Sequence, residues 1–189
     1  MKFSIIMRRI IALILFFPHL MLFFFSKKRD VIIADLYSRS EEKPQQFSSV
    51  LSDLAVRLFN DRYFRTLFYF RTSGGGAKFL RIFYPREKYL IIDIQTKLGK
   101  GVQLAHPYST ILNAESIGDN LYVNHLVTVG EKNGQKPVIG NNVQLHANCC
   151  VIGGVKVGDN AIIGAGAVVV NDVPSGCFAV GNPARIIHR

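Results

Sequence analysis

Three histidines, His106, His125 and His146, and three cysteines, Cys149, Cys150 and Cys177, are the side chains in the second half of this chain best suited to proton transfer or nucleophilic attack. A neutral imidazole accepts a proton readily near pH 7, so a histidine set against a hydroxyl can serve as its general base. Three imidazoles drawn together can instead hold zinc. A thiolate is a nucleophile in its own right, and Cys150 offers that route within the same stretch. Which chemistry is open depends on the elements that position these side chains.

The positioning is periodic. Counting by six from Ile139 reaches Leu145, Val151, Val157, Ile163 and Val169, all aliphatic. Counting by six from Val143 reaches Cys149, Val155, Ala161, Ala167 and Val173, all small or β-branched. A strand repeats every two residues and a helix every 3.6, so neither alone produces a strict six. Hexads are the mark of a parallel β-helix, in which three hexads close one coil and the aliphatic residue of each points into the shaft. Gly140, Gly158, Gly164, Asn141, Asn142 and Asn160 recur beside the aliphatic positions and are expected at corners, where a positive φ is needed. Upstream, the same beat predicts inward positions at Leu98, Leu104, Ile111, Ile117, Val123 and Val129. It slips by one residue across "AHPYST" and by four across "EKNGQKPV". A stacked interior cannot absorb insertions, so both segments are expected to be extruded as loops.

If every third hexad shares a face, those starting at Leu104, Val123, Leu145 and Ile163 stack on successive coils, about 4.8 Å apart. Their third residues are His106, His125, Ala147 and Ala165. Two imidazoles at one end of a column and two small side chains at the other suit an extended ligand lying flat, with chemistry at its tip. Cys149 falls on the inward small position, where a core cysteine is expected.

With those residues in view, residues 91–189 resemble the left-handed β-helix of hexapeptide-repeat acetyltransferases. The closing run "IGAGAVVVNDVPSGCFAVGNPARII" is specific to the acetyl-CoA-dependent branch, and "GKGVQLAHPYSTIL…IG…LVTVG" resembles serine acetyltransferases and their smaller relatives of surface-polysaccharide biosynthesis. The resemblance implies a homotrimer with active sites in clefts between neighbouring shafts. It implies His106 as general base, acetyl-CoA as cosubstrate without a metal, the coenzyme A arm along Ala147 and Ala165, and Arg185 facing the nucleotide end. The sequence also departs from serine acetyltransferases. Ala105 stands where they carry an acidic residue, and Gln135 and Lys136 stand where they place an Arg-His pair, so the groups that grip serine's charges are missing. Lys136 either binds acceptor or phosphate or is a solvated loop lysine.

The basic excess belongs to the other half. Residues 1–90 hold 16 Lys and Arg against 7 Asp and Glu, and residues 91–189 hold 7 against 6. The run Ile10–Phe25 is almost pure hydrocarbon, interrupted by Pro18 and His19 and flanked by Arg8, Arg9, Lys27, Lys28 and Arg29. No small-x-small cleavage site follows it, so it does not read as a secretory signal. It is short for a spanning helix and equally basic at both ends. A proline-bent segment at the interface, with its basic flanks against anionic lipid, is the expectation; packing on the protein is the plainer alternative. Beyond it, Phe47, Val50, Leu51, Leu54 and Leu58 keep a helical spacing, and "SGGGAK" (73–78) reads as a flexible turn. Arg and aromatic residues alternate from 62 to 71, but no nucleic-acid module accompanies them. An odd, partly adjacent set of cysteines suits a reducing compartment, and the mean hydropathy of +0.20 is high.

These readings combine as a mainly β protein: a left-handed parallel β-helix (91–189) behind a helical region (30–90) and an apolar, membrane-associating segment (1–29). The expected function is acetyl-CoA-dependent O-acetylation of a hydroxyl, with His106 and His125 as the catalytic candidates. The acceptor is expected to be a sugar in surface-polysaccharide assembly at the cytoplasmic face of the membrane. Three alternatives stand beside it: serine O-acetylation in cysteine synthesis, a zinc hydratase using His106, His125 and His146, and a non-enzymatic trimeric scaffold.

Overall fold

The computed structural model describes residues 2–40 and 46–188, in two compact units, 1–87 and 88–189.

In the second unit each coil supplies three short strands. The first has β1 (Leu90–Ile92), β2 (Lys97–Leu98) and β3 (Gln103–Leu104); the second has β4 (Thr110–Leu112), β5 (Ser116–Ile117) and β6 (Tyr122–Val123). The third has β7 (Thr128–Gly130), β8 (Val138–Ile139) and β9 (Gln144–Leu145), and the fourth β10 (Cys150–Ile152), β11 (Lys156–Val157) and β12 (Ile162–Ile163). Strands β13 (Val168–Val169), β14 (Phe178–Val180) and β15 (Arg185–Ile187) finish the shaft. Three parallel sheets result, ordered β1-β4-β7-β10-β13, β2-β5-β8-β11 and β3-β6-β9-β12-β14, the last closed by β15 running antiparallel. This is the β-helix the hexads predict, and both inward columns are buried from Ile139 and Val143 onward.

Two details differ from the hexad reading. The beat places Ile111 inward, but Ile111 is 39% exposed and Leu112 is fully buried. The strand register explains this: Leu104 pairs with Val123 and Leu112 with Val129, so the first coil spends two extra residues at this corner rather than one. Thr110 also turns inward, fully buried, and its hydroxyl donates to the Asn124 carbonyl at 3.1 Å. A buried hydroxyl needs that partner. At the corners, Asn142 and Asn160 take positive φ as expected, at 55° and 59°, and so does Asn120 at 58°; their amides form a ladder with bonds of 2.9 and 3.1 Å. Gly140, Gly158, Gly164 and Asn141 do not take positive φ. Gly140 is small because a Cβ there would sit 2.8 Å from the Asp159 nitrogen of the next coil.

The first unit contains α1 (Lys2–Leu15), α2 (Phe17–Phe25), α3 (Arg29–Leu36), α4 (Phe47–Asn60), α5 (Arg62–Arg71) and α6 (Gly75–Phe83). Pro18 has no N–H for the Ile14 carbonyl and crowds it, so the apolar run breaks at Phe16 and the two helices meet at 64°. No single helix among the described residues is long and apolar enough to cross a membrane. Ala12, Phe16, Leu20 and Phe23 pack into one core with Val50, Leu54, Leu58 and Phe68. The opposite side of the run, including Ile10, Ile14, Phe17, Met21 and Phe25, is exposed. The Asp61 carboxylate caps α5 by accepting from the Tyr63 and Phe64 N–H groups at 2.9 and 3.0 Å. "SGGGAK" is only partly a turn, because α6 already begins at Gly75. Gly76 lets α6 approach α2, since a Cβ there would lie 2.8 Å from Leu22 Cδ2.

Inside this core, the Arg71 Nε donates to Asp35 at 2.9 Å, a buried pair tying α5 to α3. His19 is fully buried, with Nε2 2.7 Å from the Tyr69 hydroxyl. That hydroxyl donates to the Tyr84 carbonyl at 3.0 Å, so its oxygen accepts from His19 and the proton sits on Nε2. Nδ1 has no partner, which fits a neutral ring. Burial, aided by the nearby Arg65 charge, lowers the His19 pKa to about 4.

Two outcomes follow. Leu112→Ala should cost about 2–5 kcal/mol and Ile111→Ala about 1 kcal/mol or less in urea denaturation; equal losses would contradict the register. His19 binds a proton more readily unfolded, near its usual 6.5, than folded. Stability should therefore fall as pH drops from 6.5 towards 4. His19→Gln should flatten that slope in urea midpoints.

Candidate active site

The corner between the third and first sheets carries the predicted column. Leu104, Val123, Leu145 and Ile163 are in register on successive strands, so the residues two places on, His106, His125, Ala147 and Ala165, lie along the same edge of the prism. His106, His125 and Ala165 are exposed and Ala147 is half-buried. The turn hydrogen bonds refine this order. Asn148 N–H donates to the His125 carbonyl at 3.0 Å and Gly166 N–H to that of Ala147 at 2.9 Å, but Leu126 N–H donates to Tyr108 at 2.8 Å. The extra residues of the first coil therefore bring Tyr108, rather than His106, level with His125 at the turn. His106 is displaced into the extruded segment and held by a left-handed backbone, φ 55°, with its carbonyl accepting from Tyr108 N–H at 2.7 Å. Among the described residues, the N–H groups of Ala147 and Ala165 donate to no backbone carbonyl.

The His125 ring is oriented by its neighbour. Asn124 Oδ1 accepts from the His125 backbone N–H at 2.8 Å and lies 2.6 Å from Nδ1. One acceptor atom facing both groups requires the proton on Nδ1, which leaves Nε2 as the basic nitrogen. His146 sits one place before the column, its ring 5.7 Å from that of Tyr122. His106, His125 and His146 do not form a group able to hold a metal ion, and no such group occurs among the described residues. Cys149 is fully buried, and burial, with Cys150 beside it, raises its thiol to about 12, so it stays protonated.

The other predicted residues lie apart from the column. Lys136 lies at the corner between the first and second sheets, 3.6 Å from the Asp93 carboxylate and 3.3 Å from the Gln95 side-chain oxygen. Beside that corner, Lys132, Gln135, Gly153, Asn171 and Asp172 line a groove of about 500 Å³ that the sequence reading does not anticipate. Arg185 is exposed on β15, paired in register with Val180, at the far end of the sheet that carries the column.

Residues 136–171 match the family model "Bacterial transferase hexapeptide (six repeats)". The soybean serine acetyltransferase apoenzyme superposes with a TM-score of 0.60 at 30% identity, over 84% of this chain and 68% of that one. The chain belongs to the hexapeptide-repeat transferase family. Among the sequence relatives of this chain is the serine acetyltransferase of Synechococcus elongatus, 38% identical over 49% of this chain and 40% of that protein. Another is WcaB of Escherichia coli K12, provisionally named a colanic acid biosynthesis acetyltransferase, 33% identical over 50% of this chain and 61% of that one. The chain thus spans about two-fifths to three-fifths of the length of these relatives.

Proposed function

We propose that this transferase is an acetyl-CoA-dependent O-acetyltransferase that passes the acetyl group directly to an acceptor hydroxyl. The observation that carries the reading is the edge joining His125 to two small residues with uncommitted N–H groups, with His106 on the bend beside it. The relatives' names support the same reaction. His106 takes the hydroxyl proton as the oxygen attacks the thioester carbonyl. The tetrahedral oxyanion, steadied by backbone N–H donors, collapses and expels the coenzyme A thiolate, which recovers the proton from the imidazolium. His125, with Nε2 basic, flanks the same edge. The pantetheine arm runs past Ala147 and Ala165 towards Arg185, and a homotrimer supplies the facing wall.

For the acceptor we favour a sugar hydroxyl. Ala105 offers no carboxylate for an ammonium group, and Lys136 already faces Asp93 and Gln95, so serine's charges lack obvious partners. Serine is the second reading, favoured by the names of the Synechococcus and soybean relatives. Labelled acetyl-CoA offered with L-serine and with nucleotide- and lipid-linked sugars should give transfer to sugar; matching turnover of serine would decide for the second reading. His106→Asn is the cleaner variant, because asparagine tolerates a left-handed backbone. It should lower kcat by about 10²–10⁴-fold with acetyl-CoA affinity unchanged in calorimetry. Undiminished activity would remove His106 as the base, and failure to bind acetyl-CoA at all would favour a scaffold.

The site of action we propose is the inner face of the cell membrane. The exposed side of α1 and α2 is apolar, the exposed Lys27, Lys28 and Arg29 follow it, and α6 adds exposed Phe79, Ile82 and Phe83. Apolar insertion beside basic residues suits anionic lipid. Each aromatic or aliphatic side chain buried contributes about 1.5–3 kcal/mol. Ile14→Asp with Phe25→Asp should therefore weaken co-sedimentation with phosphatidylglycerol vesicles more than about tenfold, whereas unchanged partitioning would reject the membrane contact.

A further inference from the structure

Next to the His106 edge lies an aromatic surface that neither core packing nor the proposed coenzyme track uses. The rings of Tyr89 and Tyr108 have centroids 5.2 Å apart and planes tilted by 53°, and the two residues are 55% and 50% exposed. Their backbones are not loose. Tyr108 N–H donates to the His106 carbonyl at 2.7 Å, its own carbonyl accepts from Leu126, and the Tyr89 carbonyl accepts from Thr110 N–H at 2.9 Å. Ile91 and Ile111, in register with each other, extend the surface outward.

Two features set this corner apart from the same corner on later coils. The left-handed slot after the column residue is filled by Asn148 on the third coil and Gly166 on the fourth, which accept it cheaply. On the second coil it holds Leu126, a bulky residue for which that backbone is an outlier, and the residue is 43% exposed. Such strain tends to mark functional surface rather than packing. In addition, no charged residue occurs from Val102 to Ala114, so the stretch that carries Tyr108 offers a ring face, aliphatic groups and neutral hydroxyls beside His106, and Lys88 is the charged neighbour of Tyr89.

We propose that Tyr89 and Tyr108 form the acceptor platform of this site and that its ligand is a pyranose ring. The inference rests on the acetyltransferase reading and names the acceptor class within it. A pyranose presents axial C–H groups on one face and hydroxyls around its rim. The electron-rich faces of tyrosine attract the C–H side, which leaves a rim hydroxyl directed at the histidine two residues before Tyr108. The 102–114 stretch itself offers a zwitterionic amino acid no ion partner.

Saturation-transfer NMR with methyl β-D-glucopyranoside tests the platform without requiring turnover. Signal on the axial ring protons is expected with the wild-type chain and with His106→Asn. It should fall about fivefold in Tyr89→Ala and Tyr108→Ala, the scale of one aromatic contact, and survive in Tyr108→Phe, which keeps the ring. Undiminished signal in both alanine variants overturns the platform. So does a change in oligomer size on chromatography in Tyr108→Ala, which would make the surface a contact between copies. Sugar signal that depends on the tyrosines without any acetyl transfer would leave the platform standing and remove the transferase reading. Sugar acetylation unaffected by Tyr108→Ala would do the reverse.

Discussion

Every coil of the second unit must present its inward residue at the same height as the residue above and below. Leu104, Val123, Leu145 and Ile163 do so on one sheet, and Ile117 and Ile139 do so on another. Parallel pairing leaves little tolerance here, because a strand shifted by one residue turns its whole inward set outward. Any additional residue is therefore pushed to a corner. The two extra residues between Leu104 and Leu112 obey this constraint: they displace His106 onto an exposed bend and put Tyr108 at the turn in its place. The departure from regularity and the candidate chemistry thus share one physical cause.

The same constraint shapes the electrostatics of the edge. Stacking uses the turn N–H groups of Leu126, Asn148 and Gly166 to bind the previous coil, while those of Ala147 and Ala165 make no such bond. With small side chains at these two positions, the backbone there can come close to a ligand. Charge is sparse on this surface, and the proposed transfer from a thioester to a hydroxyl would need little of it. A proton acceptor and a few oriented dipoles suffice when the donor is already activated.

The first unit follows different physics. Its core is built from helices whose buried polar groups are mostly paired: Asp35 with Arg71, and His19 with Tyr69 and Tyr84 in sequence. A histidine, His19, stands within the most apolar run of the chain. The structure gives it a donor's role to a tyrosine oxygen and a neutral ring, while the side of the helix facing away from that core keeps the exposed apolar residues.

Much of the β-helix was legible in the residues alone, because an inward position demands an aliphatic or small side chain at a spacing set by the coil, and that demand is written locally. From it came the three-sheet shaft, the buried Cys149 and the edge of His125, Ala147 and Ala165, whereas the turn position expected for His106 is taken by Tyr108. What lay beyond reach was decided by partners distant in sequence. Ile111 and Leu112 are equally apolar, and only the pairing with Val129 selects Leu112 for the interior. The proton position on His19, the placement of Lys136 against Asp93, and the approach of Tyr89 to Tyr108 depend likewise on contacts between separate segments. Local chemistry specifies which residues can point inward; the closing of the coils determines which residues meet on the outside.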